Sequence, residues 1–121
     1  MSRDIVILAS IRDAYFASQL EGAAGGLGHR VEYLGEGEDL REKLRQVGPA
    51  LIVVNLGDEV TDWSGIIGEA KGLAKDVPVL AFGLHTDLAS RERALAAGAD
   101  VVTSNALFST QLPRLIQKYT R

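Results

Sequence analysis

The sequence predicts a doubly wound α/β domain with a parallel sheet of five strands. Short β-branched runs alternate with longer segments in which apolar residues recur every three or four positions. The third and fourth runs are apolar, as expected for central strands that are covered on both faces. At 121 residues and 46% hydrophobic, the chain suits one core and is too short for two ordinary domains. We therefore expect residues 1–121 to form a single domain.

The β-branched runs define the five predicted strands. They are Ile5 to Ala9, Arg30 to Leu34, Ala50 to Asn55, Val77 to Phe82 and Asp100 to Thr103. Because the carboxyl ends of parallel strands meet at one edge of a sheet, functional groups are expected just after each strand.

Each strand is followed by a segment with helical periodicity. The apolar faces are Phe16, Leu20, Ala23 and Leu27; Leu40, Leu44 and Val47; Ile66, Ile67, Ala70 and Leu73; Leu88, Leu95 and Ala97; and Leu112, Leu115, Ile116 and Tyr119. Helix starts are expected at Ser10 with Asp13, at Thr61 or Asp62, and at Thr86 or Asp87. Gly28, Gly48 and Gly98 stand where helices should end. Since proline suits a helix only in its first turn, Pro113 predicts that the last helix begins just before it.

Composition excludes several classes of protein. The chain has no cysteine, so neither a disulfide framework nor a thiolate metal site is expected. Its formal net charge of −3 gives no overall reason to bind nucleic acid directly. No apolar run is long enough to span a membrane, and no signal-peptide pattern begins the chain. We expect a cytoplasmic protein with no membrane partner.

Three blocks of the sequence resemble bacterial response-regulator receiver domains, the CheY-like family. They are Pro49 to Leu56, Val77 to His85 and Arg91 to Asp100. The resemblance covers essentially the whole chain. It implies a flavodoxin-like (βα)5 fold with strand order 2-1-3-4-5 and a role in two-component signal transduction.

The resemblance also implies that the phosphorylation site is degenerate. Receiver domains hold Mg²⁺ with an acidic pair after the first strand, where this chain has Ala9 and Ser10. Their acceptor aspartate corresponds to Asn55, their hydroxyl residue after the fourth strand to Gly83, and their lysine to Asn105.

The chemistry of these residues leads to the same expectation. A carboxamide lacks the anionic oxygen with which a carboxylate nucleophile attacks phosphorus, so Asn55 cannot form an acyl phosphate. Mg²⁺ prefers carboxylate oxygens, and Ser10 offers only a hydroxyl. We expect no metal, no cofactor and no enzymatic activity.

Simpler structural roles are open for the same positions. Asn55 is a turn former at a strand end, Ser10 a helix cap and Gly83 a turn residue. Asp58 and Glu59 are expected to be solvated loop acids. His29 and His85 lack a second ligand at metal-binding spacing, so no zinc site is expected.

Two functions from different classes follow. The first is a protein-interaction module: a pseudo-receiver whose partner is another signalling protein, an attached output domain or a second copy of the chain. The second is a flavodoxin-like domain that binds a nucleotide, flavin or cobalamin at an edge left uncharged and roomier.

The predicted partner surface lies on the fourth helix, fifth strand and fifth helix, the usual output face of the family. Arg91 and Arg93 on the fourth helix, with Arg114 and Lys118 on the fifth, are predicted to form a basic patch. Val102 stands where receivers carry an aromatic residue. Such a patch favours an acidic partner.

Overall fold

The computed structural model describes residues 5–120, which form five strands and five helices in strict alternation. The strands are β1 Val6–Ser10, β2 Arg30–Tyr33, β3 Leu51–Asn55, β4 Val79–Gly83 and β5 Val101–Ser104. The helices are α1 Ala14–Gly26, α2 Leu40–Val47, α3 Trp63–Leu73, α4 Leu88–Ala97 and α5 Asn105–Tyr119.

The strands form one parallel sheet in the order β2-β1-β3-β4-β5, so the predicted fold class and strand order are confirmed. Strands β1, β3 and β4 are buried along almost their whole length. This explains why the sequence of β3 and β4 is apolar at successive positions instead of alternating.

Two apolar cores lie on opposite faces of the sheet. One joins α1 and α5 to the sheet, and its centre is Phe82 stacked on Phe108 with ring centroids 3.8 Å apart. The other lies under α2, α3 and α4 and includes Trp63 and Ile67. Helices α3 and α5 are therefore on different layers of the molecule.

The helix ends follow local chemistry. Asp13, and not Ser10, caps α1, because its carboxylate accepts hydrogen bonds from the N–H groups of Tyr15 and Phe16. Ser10 is instead the buried last residue of β1. Gly98 ends α4 with a φ of 118°, a left-handed conformation that disfavours side chains.

The predicted start of the last helix is wrong. Helix α5 begins at Asn105, directly after β5, because the Ser104 hydroxyl accepts a hydrogen bond from the Leu107 N–H and caps it there. Pro113 thus lies inside the helix, on its exposed side. No helix of residues 5–120 has the length and apolar character that crossing a bilayer requires.

Candidate functional site

Ser10, Asn55 and Gly83 end three strands at the same edge of the sheet. The backbone pairing sets Ser10 beside Val54 and Asn55 beside Phe82. Ala9 has no exposed surface, Ser10 is 7% exposed and Asn55 is 5% exposed. The structure therefore brings these sequence-predicted positions to one edge of the sheet, with Ser10 and Asn55 below the surface and Gly83 partly exposed.

Both polar atoms of the Asn55 side chain form hydrogen bonds within its own loop. Its Oδ1 accepts a hydrogen bond from the Gly57 N–H at 2.9 Å, and its Nδ2 donates to Asp58 Oδ1 at 3.3 Å. This is the turn-forming role expected for asparagine at a strand end, and it is confirmed. Each polar atom of the carboxamide therefore already has one partner within the loop.

Asp58 is not the solvated loop acid that was expected. The residue is buried, and its Oδ2 accepts a hydrogen bond from the Arg12 backbone N–H at 3.1 Å. Burial raises the pKa of this carboxyl group, while the hydrogen bond and the charge of Arg12 act in the opposite direction. Asp58 thus joins the loop after β3 to the loop after β1.

Leu56 fills the space beside Gly83. A Cβ atom added at Gly83 would lie 3.3 Å from the Leu56 Cβ, closer than ordinary contact. A hydroxyl-bearing residue at position 83 would therefore displace Leu56, which is itself 8% exposed. This contact explains why glycine stands at the position.

The loop after β1 contains a positively charged side chain, that of Arg12. The Arg12 Nε donates to Thr61 Oγ1 at 3.2 Å, and its guanidinium lies 3.6 Å from the Glu36 carboxylate. Within residues 5–120 there is no group of three or more histidine, cysteine or acidic side chains placed to hold a metal ion.

Asn105 is the first residue of α5, and its Oδ1 is buried without a hydrogen-bond partner in the described part of the chain. A carboxamide at this position carries no positive charge. The electrostatic stabilisation that a transferred phosphoryl group needs is therefore missing from this side chain.

One cavity at this edge is small. It measures about 110 Å³ and is bounded by the end of β4, the start of α4 and β5, with Gly83, Leu84, Arg91 and Val102 in its walls. Pockets for drug-sized ligands measure roughly 300–1,000 Å³. Two larger openings lie at the same edge, one of about 210 Å³ beside Ser10 and Arg12 and one of about 460 Å³ beside Asp58 and Trp63.

The residues of the predicted partner surface lie at three separate places in the structure. Arg91 and Val102 share the small cavity, and Arg114 and Lys118 share a groove on α5. Arg93 lies elsewhere: its guanidinium stacks over the Trp63 ring, 4.7 Å from the ring centroid. It therefore faces α3.

Two features of this region were missed by sequence reasoning. Arg12 lies in a loop between a strand and a helix, where one arginine gives no signal. Leu84 and Leu88 are 65% and 64% exposed. Leucine in a helical pattern normally predicts burial, so only the structure identifies them as surface groups.

No protein-family model matches this sequence, and no curated protein sequence does. Solved structures do match. The signal receiver domain of a signal transduction histidine kinase from Syntrophus aciditrophicus is 20% identical, with a TM-score of 0.79 over 95% of this chain and 89% of that one. Chemotaxis protein CheY4 of Vibrio cholerae is 15% identical, with a TM-score of 0.80 over 97% and 99% of the two chains.

A response regulator from Thermotoga maritima is 14% identical, with a TM-score of 0.80 over 98% of each chain. The chain has the receiver-domain fold. At these identities the likeness establishes the architecture, and the residues at Ala9, Ser10, Asn55, Gly83 and Asn105 decide what chemistry that architecture supports here.

Proposed function

We propose that this chain is a receiver-like signalling domain that takes up no phosphoryl group and acts through protein contacts. The observation that carries the proposal is the closed edge at Asn55. Its carboxamide bonds Gly57 and Asp58, and Leu56 occupies the space beside Gly83. Where a receiver has its acceptor site, this chain thus has a small network of hydrogen bonds between its own residues.

Phosphotransfer would need three groups that this edge lacks. A nucleophilic carboxylate would have to lie where Asn55 lies, a carboxylate pair near Ser10 would have to hold Mg²⁺, and a cation would have to stand at Asn105. Asp58 does not substitute for the nucleophile, because it is buried and its oxygens accept hydrogen bonds from Arg12 and Asn55. We propose no enzymatic activity.

The partner surface we propose is formed by α4, β5 and α5. Its exposed leucines, Leu84, Leu88, Leu95 and Leu107, are accompanied by Arg91, Arg114 and Lys118. Asp87 and Glu92 also lie on this surface, so the basic character is concentrated on α5. Exposed apolar side chains beside such cations suit a protein partner with an acidic surface. Such a partner is another signalling protein or an attached output domain, and we place the encounter in the cytoplasm.

The competing function, binding of a nucleotide, flavin or cobalamin, does not fit the cavity of about 110 Å³ between β4, α4 and β5. The larger opening of about 460 Å³ beside it is lined by the carboxylates of Asp58, Glu59, Asp62 and Asp87, which disfavour a phosphate-bearing ligand. The proposed function is tested by incubating the protein with acetyl phosphate and Mg²⁺ and measuring its intact mass. We expect no phosphorylated species, and none in Asn55→Asp, because that variant still lacks the metal pair and the cation. A phosphate mapped to Asp58, or efficient labelling of Asn55→Asp, contradicts the proposal.

A further inference from the structure

Helix α5 carries an open groove that is both apolar and basic. The groove measures about 690 Å³. Its lining consists of Leu107, Gln111, Arg114, Leu115, Gln117 and Lys118. Leu107 is 47% exposed. Two leucines beside two cations form a surface that suits an apolar group flanked by carboxylates.

The loop between β3 and α3 carries such a group. Val60 is 81% exposed, more than any other large apolar side chain among residues 5–120. Exposed carboxylates flank it at Glu59 and Asp62. The loop therefore presents an apolar tip between two negative charges.

This loop is held in one conformation by the network at the sheet edge. The Thr61 N–H donates to the Asp58 carbonyl at 3.2 Å, and the Arg12 Nε donates to Thr61 Oγ1. Asp58 is in turn bonded by Asn55 and by the Arg12 backbone. A loop that is already ordered loses less conformational freedom on binding.

The loop and the groove cannot meet within one molecule. Helix α3, which follows the loop, packs with α2 and α4 on one face of the sheet. Helix α5 packs with α1 on the other face. A contact between the two features therefore needs two copies of the chain.

We propose that the Val60 loop of one copy docks in the α5 groove of a second copy. Glu59 and Asp62 then lie against Arg114 and Lys118. Because the loop and the groove are different surfaces, the contact either closes as a pair with two reciprocal loop–groove contacts or continues head-to-tail to further copies. A symmetric dimer in which two grooves face each other would set Arg114 and Lys118 against the same residues of the second copy, and these like charges repel each other.

This self-association goes beyond the proposed signalling function and does not depend on it. It shares Leu107, Arg114 and Lys118 with the proposed partner surface and leaves Leu84, Leu88 and Arg91 free for another partner. A failure to self-associate would leave the phosphate test and the partner test unchanged.

Sedimentation of the full chain tests the proposal first. The weight-average mass is expected to rise with protein concentration. It is expected to fall when salt increases from about 0.1 M to about 1 M, which shortens the screening length from about 10 Å to about 3 Å. A monomer at every concentration overturns the proposal.

Two variants separate the halves of the contact. Val60→Ser removes the apolar tip without adding a charge, and the double variant Arg114→Glu with Lys118→Glu reverses the charge of the groove; each is expected to weaken self-association about ten-fold or more. An equimolar mixture of the two variants should recover a 1:1 dimer and no larger species, because only one functional loop meets one functional groove. The matched controls are Leu84→Ser, in the loop before α4, and Arg41→Glu, on an exposed residue in the first turn of α2. Both should associate like the wild type. A mixture that stays monomeric, or controls that dissociate equally, overturns the proposal.

A spin label reports the contact without a disruptive substitution. The chain contains no cysteine, so Val60→Cys accepts a single nitroxide. Mixed with an isotope-labelled unmodified copy, it is expected to broaden amide signals between residues 107 and 118. A nitroxide at Lys75→Cys, on an exposed residue after α3, should leave those signals unchanged. Equal broadening from both labels, or none from position 60, counts against the docking mode.

Discussion

Side chains at the sheet edge around Asn55 are buried, whereas the surface of α4, β5 and α5 exposes several large apolar side chains. At the edge, Asn55 and Asp58 are buried and bonded to each other and to neighbouring backbone. On the surface, four of the six exposed large apolar side chains of residues 5–120 lie in α4, in the loop before it or in α5. Scattered exposed leucines are ordinary, whereas a cluster marks an interaction site.

The comparison separates side chains that are packed and bonded within the fold from side chains that are exposed to solvent. Changes at the edge should alter the stability of the fold and leave binding intact. Changes on the surface should alter binding and leave stability intact.

The largest effect is expected at Gly83. Gly83→Ser should lower the free energy of unfolding by about 1–3 kcal/mol, because the new Cβ crowds Leu56. In a Leu56→Gly background, which removes the Cβ that the new side chain would crowd, the same change should cost about 1 kcal/mol less. Urea denaturation of the four proteins in this cycle measures the coupling.

Gly72→Ser is the matched control, since nothing lies within 4 Å of a Cβ added there and serine has a better helix propensity than glycine. Equal costs for Gly83→Ser in both backgrounds would show that Leu56 does not close the site.

A smaller effect is expected from pH. The folded-state pKa of Asp58 is raised, chiefly by burial, so the folded protein holds this proton more tightly than the unfolded chain. The contribution of Asp58 to stability is then full below its unfolded pKa and is lost as the pH rises through its folded pKa. The difference in unfolding free energy, wild type minus Asp58→Asn, should therefore decrease as the pH rises from about 3 to about 6.

Glu38 and Asp87 have lowered pKa values, so their contributions to the pH dependence of stability have the opposite sign. Both residues are present in both proteins, so the difference cancels these contributions. The measurement is denaturation at a series of pH values. A difference that stays flat, or increases with pH, would mean that Asp58 is not held in a desolvated position.

The smallest change in stability is expected on the exposed surface. Leu84→Ser combined with Arg91→Glu should change the free energy of unfolding by about 0.5 kcal/mol or less, because both side chains are exposed. The same variant should lose affinity for a partner identified by affinity capture, and the loss should be greatest at low salt. Unchanged affinity and salt dependence would move the partner surface elsewhere.

The sequence was sufficient for the architecture because β3 and β4 are apolar throughout and because Asp13, Asp62 and Asp87 are good helix caps. Gly48 and Gly98 also ended their helices as predicted, each with positive φ. Strand ends shifted by one or two residues, as at Val79–Gly83. Local signals of this kind need no knowledge of tertiary contacts.

Tertiary contacts decided the parts that sequence reasoning missed. Asp58 is buried because the backbone of Arg12, 46 residues away in sequence, donates a hydrogen bond to it. Leu88 and Leu95 follow a helical pattern, yet α4 buries Ala94 and leaves both leucines exposed. Periodicity identifies a helix, but it does not tell which of its apolar faces meets the sheet.

Pro113 has a mechanical consequence for α5. Proline has no N–H, so the Ser109 carbonyl has no donor one turn along the helix, and the backbone ladder is interrupted midway between Asn105 and Tyr119. The last turns are held by Leu112 and Ile116, which are buried against the sheet. The position of the last turns therefore depends on the packing of these two side chains, since the backbone ladder alone does not connect them fully to the first half of the helix.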